Sequence, residues 1–485
     1  MAVRTGQQFI AGLKDEREVW YHGQRVDDVT TFPEFRAAVR AIADIYDLQH
    51  DPAHRAVMVV EDSALGEPIG RAFEIPRSAE QLRLKREAYI TCARANCGMV
   101  GRSPDFLNVM LAALAAKRDF FAESGEDRAR AVVGYYEHVA KNDLFLTHAL
   151  LDAQLDKGKL RHQQSDPGIC LRVIEERDDG VVLHGLKRIA TAAPYADEIL
   201  VWPFPPTFQA GEEDYANVFA VPMNTPGLKT ICRPSYAHAG PPRDYPLSSR
   251  YDEMDATVVF DHVFVPWERV FVYRDIPILN RMYRDSRMRE LTAHQTNCRL
   301  EVKLGFVYAL VQRLAEAQGL DTRPEIMEML GEAAVRVEVI RSTTRSAELQ
   351  ATVDPANGVL YPDLPALQAG RALGPLYYPD LVNMVRRMGG GALVQVPVSM
   401  DEFDSPIGPA IEQALRGANM SGVDKTQLLK LAWDVCGSEF GARHELYEKN
   451  YAGERSALMA GIQREYARKQ DCLDYLDRFL EGLSA

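Results

Sequence analysis

Apolar residues recur at spacings of three and four over most of the first third of the chain, from about Glu34 to Leu155. This spacing is typical of amphipathic helices, and prolines lie at the starts of these segments or between them. The last segment, residues 127–151, is predicted to continue as a helix to its end. We therefore predict an N-terminal helical domain over residues 1–155.

The pattern changes near Pro167, where two runs rich in β-branched residues are joined by Arg-Asp-Asp-Gly at positions 177–180. An Asp-Gly pair between two such runs is a signal for a β-hairpin. Further strand-length runs, separated by glycine or proline, follow as far as residue 272. Short strands at this spacing predict a central β-barrel or β-sandwich over residues 156–276.

Helical periodicity returns after about Pro277 and persists to the last residues, which predicts a C-terminal helical domain over residues 277–485. A stretch rich in proline and glycine interrupts it between Met388 and Pro409, and there we predict an ordered loop with strand-like character. The order of helices, strands and helices places the chain in the α+β class.

The net charge of the chain limits the classes of partner that it is expected to bind. Lys and Arg total 56 and Asp and Glu total 69, a net charge of −13, so we expect no nucleic-acid partner. No segment approaches the roughly 18 consecutive apolar residues of a membrane-spanning helix, and the first residues lack a signal-peptide core, which predicts a cytoplasmic protein without membrane contact. The 7 cysteines are scattered, as is typical of buried thiols rather than of a disulfide framework.

Common catalytic motifs are missing from the sequence. It has no glycine-rich dinucleotide fingerprint, no phosphate-binding P-loop and no Gly-x-Ser-x-Gly nucleophile. His444 and Glu445 begin a motif like that of zinc proteases, but Glu448 stands where the second histidine is needed. We therefore expect no metal site.

Three polar clusters in apolar surroundings remain as candidate functional positions. Arg102 lies in the loop-to-helix sequence Gly-Arg-Ser-Pro-Asp-Phe, His148 lies in an apolar stretch, and Thr191 follows a strand-forming run. Each alone has an ordinary explanation, as an ion-paired loop arginine, a core histidine and a strand threonine. Their order along the chain, together with the order of the domains, is what indicates a function.

At these clusters the chain resembles the flavin-dependent 4-hydroxyphenylacetate 3-monooxygenase family, the oxygenase components of two-component aromatic hydroxylases. The resemblance runs nearly from end to end. Among the segments that carry it are GRSPDF at 101–106, THALLDAQLDK at 147–157, GLKRIAT at 185–191 and LLKLAWDVCGSEFGARHELYEKNYAG at 428–453. Several of these segments are long and idiosyncratic, so the resemblance is specific.

The resemblance implies the acyl-CoA dehydrogenase architecture, in which an N-terminal helical domain and a central β-domain precede a C-terminal four-helix bundle, and it implies a homotetramer. It also implies that a separate NAD(P)H-dependent flavin reductase supplies reduced FAD, which explains the missing dinucleotide motif. Dioxygen then forms a C4a-hydroperoxyflavin, and a phenolic substrate is hydroxylated ortho to its hydroxyl group.

The family's phenol-binding arginine and histidine match Arg102 and His148, and its flavin-contacting threonine matches Thr191. A cation and an imidazole near the phenol favour its phenolate form, which is the better nucleophile. His294 falls where related chlorophenol and nitrophenol monooxygenases place a base, so either histidine is a candidate for that role. The positions expected to contact the cofactor are His148, Gln154, Leu155, Asp156, Thr191, Gly437, Ser438, Glu439 and Phe440.

The chain departs from the family pattern at Phe106, where a tyrosine is usual. The missing hydroxyl removes one hydrogen bond to the phenolic oxygen, at a cost on the order of 1 kcal/mol. We therefore expect Phe106 to contact a different phenol, a more hydrophobic ring or an aryl group tethered to a carrier. Residues 206–216 are the predicted substrate-covering loop.

Three alternatives stay open. An acyl-CoA dehydrogenase shares the architecture but needs a carboxylate base beside a tightly bound FAD. The related 4-hydroxybutyryl-CoA dehydratase holds an iron–sulfur cluster with cysteines and a histidine, and Cys92, Cys97, His294 and Cys298 lie in the corresponding regions at different spacings. The third alternative is a non-catalytic scaffold of the same fold. The joint presence of Arg102, His148 and Thr191 argues against it.

Overall fold

The first part of the protein is mainly helical. The computed structural model describes residues 3–166, 168–204, 207–451, 453 and 455–483, so that residues 1–2 and 484–485 of the predicted outer domains, and Pro206 of the predicted loop, lie outside the description. The elements of this part are α1 (Gly6–Gly12), β1 (Glu18–Tyr21), β2 (Gln24–Val26), α2 (Arg36–Asp47), α3 (Arg55–Met58), β3 (Val59–Val60), β4 (Ile69–Gly70), α4 (Ala79–Arg94), α5 (Pro104–Ala116), α6 (Arg118–Ala122) and α7 (Glu126–Asn142).

The prediction of a helix that continues to residue 151 is wrong beyond Asn142. Asp143 takes a left-handed conformation, with φ 48° and ψ 51°, and ends α7. Its carboxylate accepts hydrogen bonds from Gln49 Nε2 at 2.7 Å and from the Arg4 backbone N–H at 3.1 Å, which fixes the turn. The apolar run that follows forms a strand instead.

The middle of the chain forms two open sheets. Their strands are β5 (Leu146–Ala149), β6 (Leu151–Asp152), β7 (Arg172–Arg177), β8 (Gly180–Thr191), β9 (Glu198–Val201), β10 (Val218–Pro222), β11 (Leu228–Cys232), β12 (Asp255–Pro266) and β13 (Val270–Val272). One sheet has the order β2-β1-β11-β12-β8-β6 with β7 paired to β8, and the other has the order β13-β10-β9-β5.

The two sheets pack against each other rather than closing on themselves. Phe219 of β10 and Phe260 of β12 meet with ring centroids 5.8 Å apart. Within the described residues neither sheet closes into a barrel, so the sandwich form of the prediction holds and the barrel form does not. β1 joins the larger sheet in parallel with β11, so the N-terminal segment contributes strands that helical periodicity did not predict.

The remaining elements are mainly helices. They are α8 (Ile276–Asp285), α9 (Met288–Ala317), α10 (Pro324–Leu349), β14 (Thr352–Val353), β15 (Leu360–Tyr361), α11 (Leu364–Gly389), α12 (Gly408–Leu415), α13 (Gly422–Cys436), α14 (Glu439–Asn450), α15 (Arg455–Glu465) and α16 (Lys469–Leu483). α9 packs on α10, α11 and α13 to form the predicted four-helix bundle, and it also contacts α4 and α5. No helix in the described ranges combines the length and the apolar character that a bilayer-spanning segment needs.

The stretch between Met388 and Pro409 has no strand-like character. Gly390, with φ 50° and ψ −143°, ends α11, and short 3-10 turns follow at Gly390–Val394 and Met400–Asp404. The side chain of Ser399 caps the second turn by accepting from the Asp401 N–H. Glycine at a positive φ and a capped turn therefore override the alternating apolar pattern.

Candidate active site

The site forms where the loop before α5 meets α14. The backbone N–H of Arg102 donates to Glu253 Oε1 at 2.7 Å, and Pro104 provides the first residue of α5. A side chain at Gly101 would place its Cβ 2.4 Å from the Tyr447 hydroxyl. Glycine is needed here because it alone lets the loop approach α14 this closely.

The Arg102 guanidinium lies among aromatic rings rather than beside a carboxylate. Its Cζ is 4.5 Å from the ring centroid of Phe106, 4.3 Å from that of Tyr451 and 5.7 Å from that of Tyr447. Its Nε and Nη1 atoms are buried without a hydrogen-bond partner in the structure. Unpaired buried donors are costly, so their presence indicates a place where an acceptor binds.

His148 lies on β5 and faces the same aromatic cluster. Its ring is stacked on Trp202 at 5.4 Å and lies 6.0 Å from the ring of Phe106. Burial, and then the nearby positive charge of Arg102, lower the pKa of the His148 imidazole well below its usual value. The ring is therefore neutral at neutral pH, and its buried Nδ1 has no hydrogen-bond partner.

Thr191 is the last residue of β8 and is hydrogen-bonded to β5, the strand that carries His148. Its hydroxyl donates to Asp255 Oδ1 at 2.7 Å, and its carbonyl accepts from the Thr147 hydroxyl at 2.5 Å. Burial alone would raise the pKa of the Asp255 carboxyl, but the charges of Arg443 and Arg233 hold it at about 2. Because Thr147 precedes His148, this bond fixes Thr191 next to the strand that carries the histidine.

The first predicted cofactor segment, Gln154 to Asp156, is an exposed turn after β6. The backbone N–H groups of Leu155 and Asp156 donate to Gln164 Oε1 at 3.0 and 2.9 Å. The Leu155 side chain is 59% exposed, which is unusual for leucine. Gln164 therefore holds the backbone of this segment, and the apolar side chain of Leu155 stays accessible to a ligand or a partner chain.

The second predicted segment, Gly437 to Phe440, joins α13 to α14. Ser438 caps α14 by accepting from the Gly441 N–H at 3.0 Å, and Phe440 is buried against the ring of His444 at 4.3 Å. Gly437 is exposed, and so is Glu439. The segment thus presents a helix N-terminus and two exposed residues at the surface.

His294 is separate from this cluster. It lies on α9, completely buried, with Nε2 2.7 Å from Glu348 Oε1 and its ring 5.7 Å from that of Tyr89. In the part of the chain that the structure describes, no hydrogen bond or ring contact joins it to Phe106 or His148. The geometry therefore brings Arg102, Phe106 and His148 together and leaves His294 apart.

Several residues of the site were not predicted from the sequence. Tyr447 on α14 and Tyr451, which caps the end of that helix, lie one turn apart and both face Arg102. Trp202 covers His148, and Glu253 holds the Arg102 backbone. The spacing of the two tyrosines on one helix face was the available signal, whereas nothing local in the sequence links Trp202 or Glu253 to the site.

The pairing of nearby carboxylates argues against the acyl-CoA dehydrogenase alternative. Two carboxylates beside the site are paired with arginines. Glu253 accepts from Arg443 at 3.1 Å, and Asp255, whose pKa is about 2, accepts from Arg443 and Arg233. Neither is suited to act as the base of an acyl-CoA dehydrogenase.

Comparison with known proteins identifies relatives along the whole chain. Residues 5–272 match the family model described as 4-hydroxyphenylacetate 3-hydroxylase N terminal, and residues 279–481 match its C-terminal counterpart. The 4-hydroxyphenylacetate 3-monooxygenase oxygenase component of Thermus thermophilus is 39% identical over 96% of this chain and 95% of its own.

Two further relatives extend the comparison. The (3S)-3-amino-3-(3-chloro-4-hydroxyphenyl)propanoyl-peptidyl-carrier-protein monooxygenase of Streptomyces globisporus is 36% identical over 99% of this chain and 92% of its own. A crystal structure of a 4-hydroxyphenylacetate 3-monooxygenase oxygenase component, complexed with FAD and 4-hydroxyphenylacetate, superposes with a TM-score of 0.94 at 37% identity and covers 99% of both chains.

The fold, the site and these matches define the class of protein, a monooxygenase. The predicted α+β architecture of N-terminal helices, a central β-domain and a C-terminal helical bundle is confirmed apart from the barrel. Because both halves match the family models, the chain belongs to the 4-hydroxyphenylacetate 3-hydroxylase family.

Proposed function

We propose that this chain is the oxygenase component of a two-component monooxygenase that hydroxylates a phenolic substrate ortho to its hydroxyl group. Reduced FAD comes from a separate NAD(P)H-dependent flavin reductase, and dioxygen is the co-substrate. The observation that carries the proposal is the set of buried, unpartnered polar atoms, Arg102 Nε and Nη1 and His148 Nδ1, among aromatic side chains. A phenol offers a hydroxyl group to these atoms and an apolar ring to Phe106 and Trp202.

Arg102 and His148 have complementary tasks toward the phenol. The neutral His148 ring accepts a hydrogen bond from the phenolic hydroxyl at Nδ1, because this atom has no other partner. The Arg102 guanidinium then balances the negative charge on the phenolate oxygen. A free phenol ionises with a pKa of about 10, so this charge balance is needed for phenolate to form at neutral pH.

The same reasoning favours His148 over His294 as the proton acceptor. Both histidines have a buried Nδ1 without a partner, but that of His148 lies beside Phe106 and Arg102, whereas His294 lies on α9 away from them, with its Nε2 engaged by Glu348. A base must lie within hydrogen-bond reach of the proton that it takes. His294 is then a residue that positions α9 through its bond to α10.

Thr191 fits the edge of a reduced flavin. Its hydroxyl hydrogen is donated to Asp255, an ionised carboxylate that can only accept, so the Oγ1 atom still offers its own lone pairs. A reduced flavin ring carries N–H donors that such an acceptor suits. When bound, FAD supplies the electrons that activate dioxygen.

We assign the rest of the cofactor to the two segments implied by the family resemblance. Gln154, Leu155 and Asp156 offer an exposed leucine, and residues 437–440 offer the N-terminus of α14, where ligand phosphates are favoured. A homotetramer in the cytoplasm completes the proposal.

The substrate is either a free phenol or an aryl group tethered to a carrier. Phe106 is 7% exposed and has no hydroxyl, so the pocket binds the ring more through apolar contact than the tyrosine-containing family pattern does. One relative is named for a carrier-bound aryl substrate and another for 4-hydroxyphenylacetate. In the predicted covering loop Phe208 exchanges two hydrogen bonds with Asn280, at 2.8 and 2.9 Å, which anchors its described part to α8.

The proposal is tested by mixing the protein with reduced FAD and then with aerated buffer and a panel of phenols. We expect a catechol product and little hydrogen peroxide. Replacement of Thr191 by valine should raise the peroxide yield several-fold, because the acceptor oxygen is lost. It should leave the fold intact, because valine has nearly the same shape and Asp255 keeps its hydrogen bonds from Arg233 and Arg443. Thr230→Val, a buried strand threonine on β11, is the matched control and should leave the yield unchanged.

A negative result would be clear. If no phenol yields a catechol and the flavin oxidises at its free-solution rate, the protein is not a monooxygenase of this kind. If Thr191→Val and Thr230→Val give the same peroxide yield, the assignment of Thr191 to the flavin edge is wrong.

A further inference from the structure

A β-bulge on the larger sheet brings three metal-binding side chains together, away from the candidate active site. The pairing of β12 with β8 shifts register between Phe260 and Val263. At this point two residues of β12, Asp261 and His262, face one residue of β8, His184. His262 has a φ of 58°, a left-handed conformation that is uncommon outside glycine, and this conformation re-aims its side chain.

The three side chains converge on one point. His262 Nδ1 lies 2.9 Å from Asp261 Oδ1, and His184 Nδ1 lies 4.0 Å from the same oxygen. One ligand atom from each residue lies within 4.8 Å of the other two. The Nδ1 atom of His184 is buried and has no hydrogen-bond partner, so a lone pair or a proton there is unsatisfied.

The charges around the cluster leave one carboxylate oxygen of Asp261 available to bind a cation. Lys229 Nζ donates to Asp261 Oδ2 at 2.9 Å, which directs Oδ1 toward the two histidines. Lys229 and Arg172, the neighbour of His184 on β7, add positive charge and weaken the attraction for a cation.

We propose that His184, Asp261 and His262 form a binding site for a divalent transition-metal ion of the zinc type, with water as the remaining ligand. Two imidazole nitrogens and one carboxylate oxygen are a common set of protein ligands for such an ion. Binding requires rotations of the two rings that bring one nitrogen of each and the carboxylate oxygen to the distances of a tetrahedral ion. The absence of a recognised zinc motif in the sequence follows from the split of the ligands between two strands.

The bound ion would connect β8 to β12 across the bulge. The register shift disrupts the ladder between these strands, and a metal bridge would replace the lost hydrogen bonds. A ligand that binds only the folded state raises stability. Zinc should therefore raise the melting temperature of the protein, and this readout does not depend on its enzymatic activity.

The test uses the untagged full-length protein, freed of metal with a chelator and titrated with ZnCl2 at neutral pH. We expect one tightly bound Zn²⁺ per chain by equilibrium dialysis, and a melting temperature that rises with zinc. His184→Ala and His262→Ala should each weaken binding at least about tenfold, and the double variant should abolish the thermal shift. His54→Ala is the matched control, because His54 is also exposed and lies 3.9 Å from Asp51.

Two results would overturn the proposal. Either the wild-type protein retains no more zinc than the double variant, or the double variant still binds one ion per chain and shows the full thermal shift. The second result would assign the zinc to other groups, such as the exposed thiol of Cys472. Circular dichroism of each variant confirms that the sheet is intact, so lost binding is not mistaken for unfolding.

Discussion

The candidate active site and the ion network beneath it are both buried, but only the network pairs its charges. Between α9 and α14, Arg299 donates to both oxygens of Glu448, at 2.8 and 2.9 Å, and Lys303 donates to the same carboxylate at 2.8 Å. The guanidinium of Arg102 has no carboxylate partner among the described residues, although the ring of Tyr451 contacts both arginines. A paired buried charge builds the scaffold, and an unpaired one is left for a ligand.

Removal of the shared carboxylate should have the largest effect on stability. Glu448→Ala leaves Arg299 and Lys303 buried without their counter-charge, at a cost of about 3–5 kcal/mol in the free energy of unfolding. Urea denaturation measures this cost. Glu445→Ala, one turn away on the same helix, removes pairs with Lys449 and Arg386, whose side chains are both exposed, and should cost less than about 1 kcal/mol. Equal losses in the two variants would show that the network does not stabilise the fold.

The same carboxylate predicts a pH dependence. Burial raises the pKa of the Glu448 carboxyl, but Arg299 and Lys303 outweigh burial and lower it from 4.5 to about 2. A lowered pKa contributes stability above the unfolded value that is lost as the pH falls through the folded value. The wild-type protein should therefore lose stability between about pH 4.5 and pH 2, and Glu448→Gln should lose less over that range.

Removal of the unpaired Arg102 guanidinium should lower the rate of hydroxylation rather than the stability of the fold. Arg102→Ala should reduce catechol formation by about 100-fold or more, because the phenolate loses its counter-charge. Flavin oxidation should continue and end in hydrogen peroxide. Rapid-quench product analysis and urea denaturation together separate the two effects, with the surface variant Arg313→Ala as the control. Normal hydroxylation by Arg102→Ala would contradict the assignment of the phenol site.

The contrast between the two regions also explains what the sequence could predict. The helical domains and the strand-rich middle follow from hydrophobic periodicity, which reports local structure. The end of α7 does not, because Asp143 is fixed by the distant residues Arg4 and Gln49. The strand β1 was missed for a similar reason, since it is short and pairs with β11 far along the chain.

The candidate site was predicted in part by residue type and in part only by resemblance. Arg102 and His148 were found because a family pattern singled them out, whereas periodicity gave each an ordinary role. Trp202 and Glu253 were missed because their importance depends on tertiary contacts. His294 was included on position alone, and the structure places it on α9 away from the cluster, with its Nε2 bonded to Glu348.

The smallest expected effect is that of a substitution at Phe106, because the residue at this position sets how polar the candidate active site is. Phe106→Tyr adds one hydroxyl beside Arg102 and His148, where unpartnered atoms are available. It should tighten the binding of 4-hydroxyphenylacetate in the presence of FAD by about fivefold, the equivalent of one hydrogen bond worth about 1 kcal/mol. Phenylacetate, which lacks the phenolic oxygen, is the matched control ligand and should bind the two proteins equally. If both ligands gain equally, the new hydroxyl acts on the shape of the pocket and not on the phenolic oxygen, and the role given to position 106 fails.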